Sequence, residues 1–138
     1  MGRILAIDLG KKRTGLAVTD PLKLIASPLD YVATSELTGF LKTYLEKEQV
    51  DTIVVGMPRK QDNTDSEMTA PARELAKKLA TLFPEVNILT HDERFTSKMA
   101  LHSMLESGMK KKDRRVKGNV DKISAAIILQ SFLETKKI

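Results

Sequence analysis

The run "DTIVVGMP", Asp51 to Pro58, constrains the fold more than any other stretch of this chain. It is short, β-branched and apolar at every central position, and Gly56 and Pro58 end it. A half-buried strand alternates apolar with polar. A continuous run of this length reads as a strand covered on both faces, which calls for a sheet with layers on either side. The rest of the order follows around it. "RILAIDL" reads as a first strand and "TGLAVTD" as a second, separated by a short Gly-Lys-Lys-Arg turn. "IASPLDYV", Ile25 to Val32, reads as a third, placed at an edge or a bulge by Pro28.

Leu37, Phe40, Leu41, Tyr44 and Leu45 then recur at helical spacing, with Ser35 or Thr34 as the expected cap. A polar loop, "RKQDNTDSE", leads to a helix expected over 66–82, and "EVNILTHDE" to another strand. "TSKMALHSMLESG" reads as a helix capped by Thr96 or Ser97 and stopped at Gly108. "NVDKISAAIILQSFLE" reads as the last helix. Three antiparallel strands followed by αβαβ units predict an α/β fold: a mixed five-stranded sheet with helices against it. At 138 residues, with no internal repeat or linker, the expectation is a single domain over residues 1–138.

Charge is concentrated. The net charge is +5, and "KKKDRRVK", Lys110 to Lys117, carries six cations and one anion, a sum equal to the whole excess. This octet reads either as a tracker of a polyanion or as a solvated loop. No apolar run reaches the roughly 20 residues of a membrane span, and no leader pattern precedes the first strand. With zero cysteines, the expected compartment is the cytoplasm. Thiolate metal sites are excluded, and two histidines leave oxygen donors, which favour magnesium or manganese.

Three carboxylates occupy positions where solvated acids are unusual. Asp8 ends the first strand, and Glu93 follows the strand "VNILT". Asp121 falls in the first turn of the expected last helix, with Ala125, Ile128 and Phe132 at i+4, i+7 and i+11. Each has an ordinary reading: a turn cap for Asp8, a rim carboxylate paired with Arg94 for Glu93, a helix-dipole partner for Asp121. Together they have another. Acids gathered at one sheet end repel unless a cation lies between them, and divalent ions held this way clamp phosphodiester displacement.

"ILAIDLGKKRTGLAVTD", "IVVGMP", "HDERFTS" and "VDKISAAIILQ", in this order, resemble the YqgF family, also called RuvX-like, of Holliday junction resolvases and pre-16S rRNA nucleases. The resemblance spans nearly the whole chain. It implies a ribonuclease H-like fold with helices on both faces and a magnesium- or manganese-dependent endonuclease. It also implies that Asp8, Glu93 and Asp121 are the catalytic, metal-binding acids. The implied substrate is structured nucleic acid, with the 5′ end of the 16S precursor favoured and four-way DNA junctions as the alternative. Where many members carry Asp-Gly after the Gly-Leu/Met-Pro turn, this chain has Asp62-Asn63.

The surrounding cations take their expected roles from this. Lys11, Lys12 and Arg13 read as phosphate contacts or as an exposed hairpin turn, the resemblance favouring Arg13. Arg94 reads as a phosphate ligand or as the orienter of Glu93. Lys110, Lys111, Lys112, Arg114, Arg115 and Lys117 would follow a backbone by charge. Four Phe, two Tyr and no Trp make base stacking a poor mode of recognition. His91 and His102 have ordinary readings, and neither is assigned as a base.

Two other classes compete. "DLGKKRTG" also resembles the first phosphate loop of actin-like ATPases and sugar kinases, which need two such domains and more than this length. A non-catalytic nucleic-acid-binding module in ribosome assembly would keep the acids for structure. The expected state is a monomer or a weak homodimer; symmetric cutting of a junction requires the dimer.

Overall fold

A computed structural model describes residues 2–58, 67–92 and 117–136, with the backbone alone for 117–121 and 136. Strands β1 (Arg3–Asp8), β2 (Arg13–Thr19), β3 (Ala26–Ala33), β4 (Val50–Met57) and β5 (Asn87–Asp92) form one sheet in the order β3-β2-β1-β4-β5. The first three are antiparallel neighbours, whereas β4 runs parallel to β1 and β5 parallel to β4. Helices α1 (Leu37–Lys47), α2 (Thr69–Leu82) and α3 (Lys117–Lys136) complete the described elements. The mixed five-stranded sheet is therefore as the sequence predicts. The helix expected over Thr96 to Gly108 lies outside the described residues, as does the Asp62-Asn63 turn.

β4 is the doubly covered strand: Ile53, Val54 and Val55 are all fully buried. Alternation divides the core about it. Leu5, Ile7, Leu16, Ile53 and Val55 pack with Leu37 and Leu41 of α1 and Ala72 and Leu79 of α2. Ile4, Ala6, Ala17 and Val54 face the other way, onto Ala125, Ala126, Ile128, Leu129 and Phe132 of α3. Helices thus cover both faces. Alanines on both sides of the second interface let α3 lie close across β1, β2 and β3.

β3 is the edge strand that Pro28 requires, and its ladder slips between Leu16 and Ala17 so that Asp30 and Pro28 are successive partners, leaving Leu29 as the extra residue. Three helix starts differ from expectation. α1 is preceded by a 3₁₀ turn, Thr34–Glu36, and its cap position, Glu36, makes no side-chain capping bond. Neither Ser35 nor Thr34 caps it, because the Thr34 hydroxyl is committed to the β1–β2 turn. α2 begins at Thr69, whose hydroxyl bonds the Pro58 carbonyl. α3 begins at Lys117, so the last residue of the basic octet is already helical, and Asp121 is the fifth residue of the helix, opening its second turn rather than lying in its first.

Candidate active site at the carboxyl end of the sheet

The parallel strands β1, β4 and β5 end on the same side of the sheet, the edge where α/β folds collect ligand sites. Asp8 is the last residue of β1 and is half-buried there. It alternates with Ile4 and Ala6, so its carboxylate points to the side of the sheet covered by α3. Its partner across the antiparallel ladder is Gly15. On the other flank, Ile7 pairs with Val55, which makes Gly56 the next residue of β4 alongside Asp8. Neither neighbour has a side chain, and glycine inside a strand marks a place where a ligand or another backbone comes close. Asp8 thus stands half-buried at the mouth of the sheet between two glycine neighbours.

Of the two adjacent acids at the end of the fifth strand, Asp92 belongs to the wrong side. It alternates with Ile88, which packs into the α1–α2 core, away from Asp8. It also lies two strands from β1, about 10 Å at ordinary strand spacing. Glu93 follows it in the chain and lies outside the described residues, as do Arg94 and Lys110, Lys111, Lys112, Arg114 and Arg115. Asp121 and Lys117 are placed by their backbone in α3, Asp121 one turn before buried Ala125. Among the described residues, no three His, Asp or Glu side chains form a group that could hold a metal.

The β1–β2 turn beside Asp8 carries the first cations. Lys11 and Lys12 are exposed and Arg13, the first residue of β2, is half-buried. Lys11 pairs with Glu67 at 3.0 Å, both side chains being about two-thirds or more exposed. A pair so solvated is worth about 0–1 kcal/mol. Gly10 is required by space: a Cβ there would stand 2.2 Å from the Arg13 carbonyl oxygen. Its presence therefore reports turn geometry and is no evidence for a phosphate.

His91 is a connection the sequence does not reveal. It is buried, its Nε2 lies 2.9 Å from the Ser131 hydroxyl, and its ring meets Phe132 edge-on at 5.9 Å. Burial pushes its pKa below the usual histidine value, opposed by the neighbouring Asp92 carboxylate. A neutral imidazole tied to α3 is a structural link from β5 to that helix. The only sequence hint is the repeated apolar spacing that makes Phe132 a core residue.

The architecture is that of a ribonuclease H-like α/β domain. The RuvC structure of Thermus thermophilus superposes with a TM-score of 0.55 at 14% identity, covering 97% of this chain and 96% of that one, which shows the fold. The chain belongs to the RuvX family: the family profile, described as Holliday junction resolvase, matches residues 2–135. Curated relatives named "Putative pre-16S rRNA nuclease" cover nearly all of it. The protein of Amoebophilus asiaticus is 51% identical over 99% of this chain and 97% of its own length. That of Christiangramia forsetii is 52% identical over 96% and 98%, and that of Porphyromonas gingivalis 52% over 97% of each. The chain is thus a member of a nuclease family, as its motifs imply. No described helix is long and apolar enough to cross a membrane.

Proposed function

We propose that this chain is a single-domain, divalent-metal-dependent endonuclease that hydrolyses phosphodiester bonds in structured RNA, and that its substrate is the 5′ end of pre-16S rRNA in the cytoplasm. The observation that carries the reading is Asp8: a half-buried carboxylate at the end of β1, aimed to the α3 side, with Gly15 as its cross-strand partner. The names of the relatives support the RNA.

Asp8, Glu93 and Asp121 are the proposed metal ligands. The donor chemistry fits a hard cation: the chain has no cysteine, and buried His91 is engaged with Ser131. A bound magnesium or manganese ion supplies a water of lowered pKa and stabilises charge on the departing oxygen. The chain's own residues do the rest. Lys11, Lys12 and Arg13, on the turn next to Asp8, bind phosphates flanking the scissile bond. Arg94 follows Glu93 and orients it or takes a phosphate. Lys110, Lys111, Lys112, Arg114, Arg115 and Lys117 hold a more distant stretch of backbone through charge alone, a mode that weakens steeply with salt.

The family description supports a second substrate, the four-way DNA junction. Incubating the protein with manganese and either a 5′-extended 16S precursor or a four-way junction decides between them. Cleavage of the RNA alone is the expected result. Cleavage of the junction alone, in paired symmetric cuts, assigns the chain to recombination and calls for a dimer. Tight binding of the RNA without cleavage makes it an assembly module.

A further inference from the structure

The turn that carries Lys11 and Lys12 is held by a residue that the function as described does not use. Thr34 follows the edge strand β3 and opens the 3₁₀ turn into α1, whose Leu37 and Leu41 are core residues. Its hydroxyl donates to the Gly10 carbonyl at 2.7 Å, and its amide donates to the Lys12 carbonyl at 2.9 Å. A third bond completes the set, the Thr14 and Thr34 hydroxyls lying 2.9 Å apart. Since the one proton of Thr34 goes to Gly10, Thr14 donates and Thr34 accepts. Thr14 is fully buried, where a hydroxyl needs such a partner. The chain Thr14 to Thr34 to Gly10 is therefore a relay of hydroxyls in which each bond strengthens the next.

Both ends of the cationic turn are thus fastened to one residue. An exposed hairpin that only connects two strands has no need of this. A turn that must present cations to a phosphate has, because fixing them beforehand removes the ordering cost from binding.

We propose that Thr34 is a positioning residue for the nuclease reaction: it locks the Gly10–Arg13 turn so that Lys12, whose carbonyl it holds, stands preset at the Asp8 end of the sheet to receive substrate phosphate. This rests on the nuclease reading above. The alternative is a strand-end bond that serves stability alone.

Steady-state cleavage of the 16S precursor in manganese, at a temperature where every variant is folded by circular dichroism, separates the two. Thr34→Val keeps the shape and removes the donor; its KM should rise about five- to tenfold with kcat within about twofold. Thr34→Ser should return KM to within about twofold of wild type. In a Lys12→Ala background Thr34→Val should add less than about twofold, because the cation it positions is gone. A wild-type KM for folded Thr34→Val, or effects of Thr34→Val and Lys12→Ala that multiply in full, overturns the proposal. If Thr34→Val does not fold, Thr14→Val, which takes the donor from the other end of the relay, must raise KM in the same direction, and an unchanged KM again overturns it. A wild type that neither binds nor cuts the RNA brings down the nuclease reading and the positioning role with it. A wild type that cuts while these variants are silent brings down the positioning role alone.

Discussion

Asp8 and Gly15 are register partners across the β1–β2 ladder, so the acid at the end of the first strand faces a residue with no side chain. Other acids brought to the Asp8 carboxylate would raise its energy in the absence of a cation.

This gives the first prediction, on stability. In chelator, Asp8→Asn should be at least as stable as wild type. Added magnesium or manganese should raise the Tm of wild type, by an amount equivalent to about 2.7 kcal/mol at a hundredfold excess over Kd, and leave Asp8→Asn unmoved. Thermal unfolding with and without metal measures both. Clear destabilisation of the apo variant would make Asp8 a structural cap.

Gly10 provides the second. A methyl group 2.2 Å from the Arg13 carbonyl oxygen cannot be accommodated without moving the turn. Gly10→Ala should cost about 1–3 kcal/mol in urea unfolding. A neutral result would show that the turn re-forms easily.

The third concerns α3, which carries Asp121. Leu129 is fully buried against the face of the sheet that Asp8 shares. Leu129→Ala should lower stability by about 2–5 kcal/mol, read from the urea midpoint. A cost below about 1 kcal/mol would mean that the helix is not packed as described.

pH dependence supplies the fourth. Burial holds the His91 pKa below its ordinary value, with Asp92 opposing. The folded state then resists a proton that the unfolded chain accepts. Stability is therefore full above the ordinary histidine pKa of about 6.5 and falls as pH drops through it, levelling off below the folded value. Asp20, lowered by the Ile25 amide first and the Leu24 and Leu22 amides after, and Asp51, which burial pushes up but the Lys23 ammonium, Thr52 hydroxyl and Gly2 amide together hold down, lose their contributions only in the acid range below. Urea midpoints measured between pH 7.5 and 5 should decline in wild type and stay flatter in His91→Phe. Equal slopes would assign the decline elsewhere.

Where the sequence was informative and where it was silent has a physical pattern. β4 was legible because three successive buried β-branched residues admit little else, and β3 because Pro28 cannot donate to a ladder on both sides. Asp8 was legible for the opposite reason, as a polar residue where burial is expected. Thr34 misled: a threonine just before a helix looks like a cap, and only the tertiary approach of Gly10 shows where its hydroxyl goes. His91 gave no signal, because its partner lies 40 residues away on α3. The start of α3 at Lys117 was missed since a run of cations reads as loop until its backbone is seen. The placement of Asp121 on α3, the helix that covers the face of the sheet shared by Asp8, depends on long-range packing that no local spacing encodes.

The central claim is that Asp8 holds metal for phosphodiester hydrolysis. It is tested most directly by single-turnover cleavage of a 5′-extended 16S precursor in manganese, wild type beside Asp8→Asn, with RNA binding measured in parallel. Wild type should cut, the variant should be slower by at least about a hundredfold, and the two should bind the RNA within a few-fold of each other. A variant that cuts at the wild-type rate, with the same dependence on manganese, would contradict the claim.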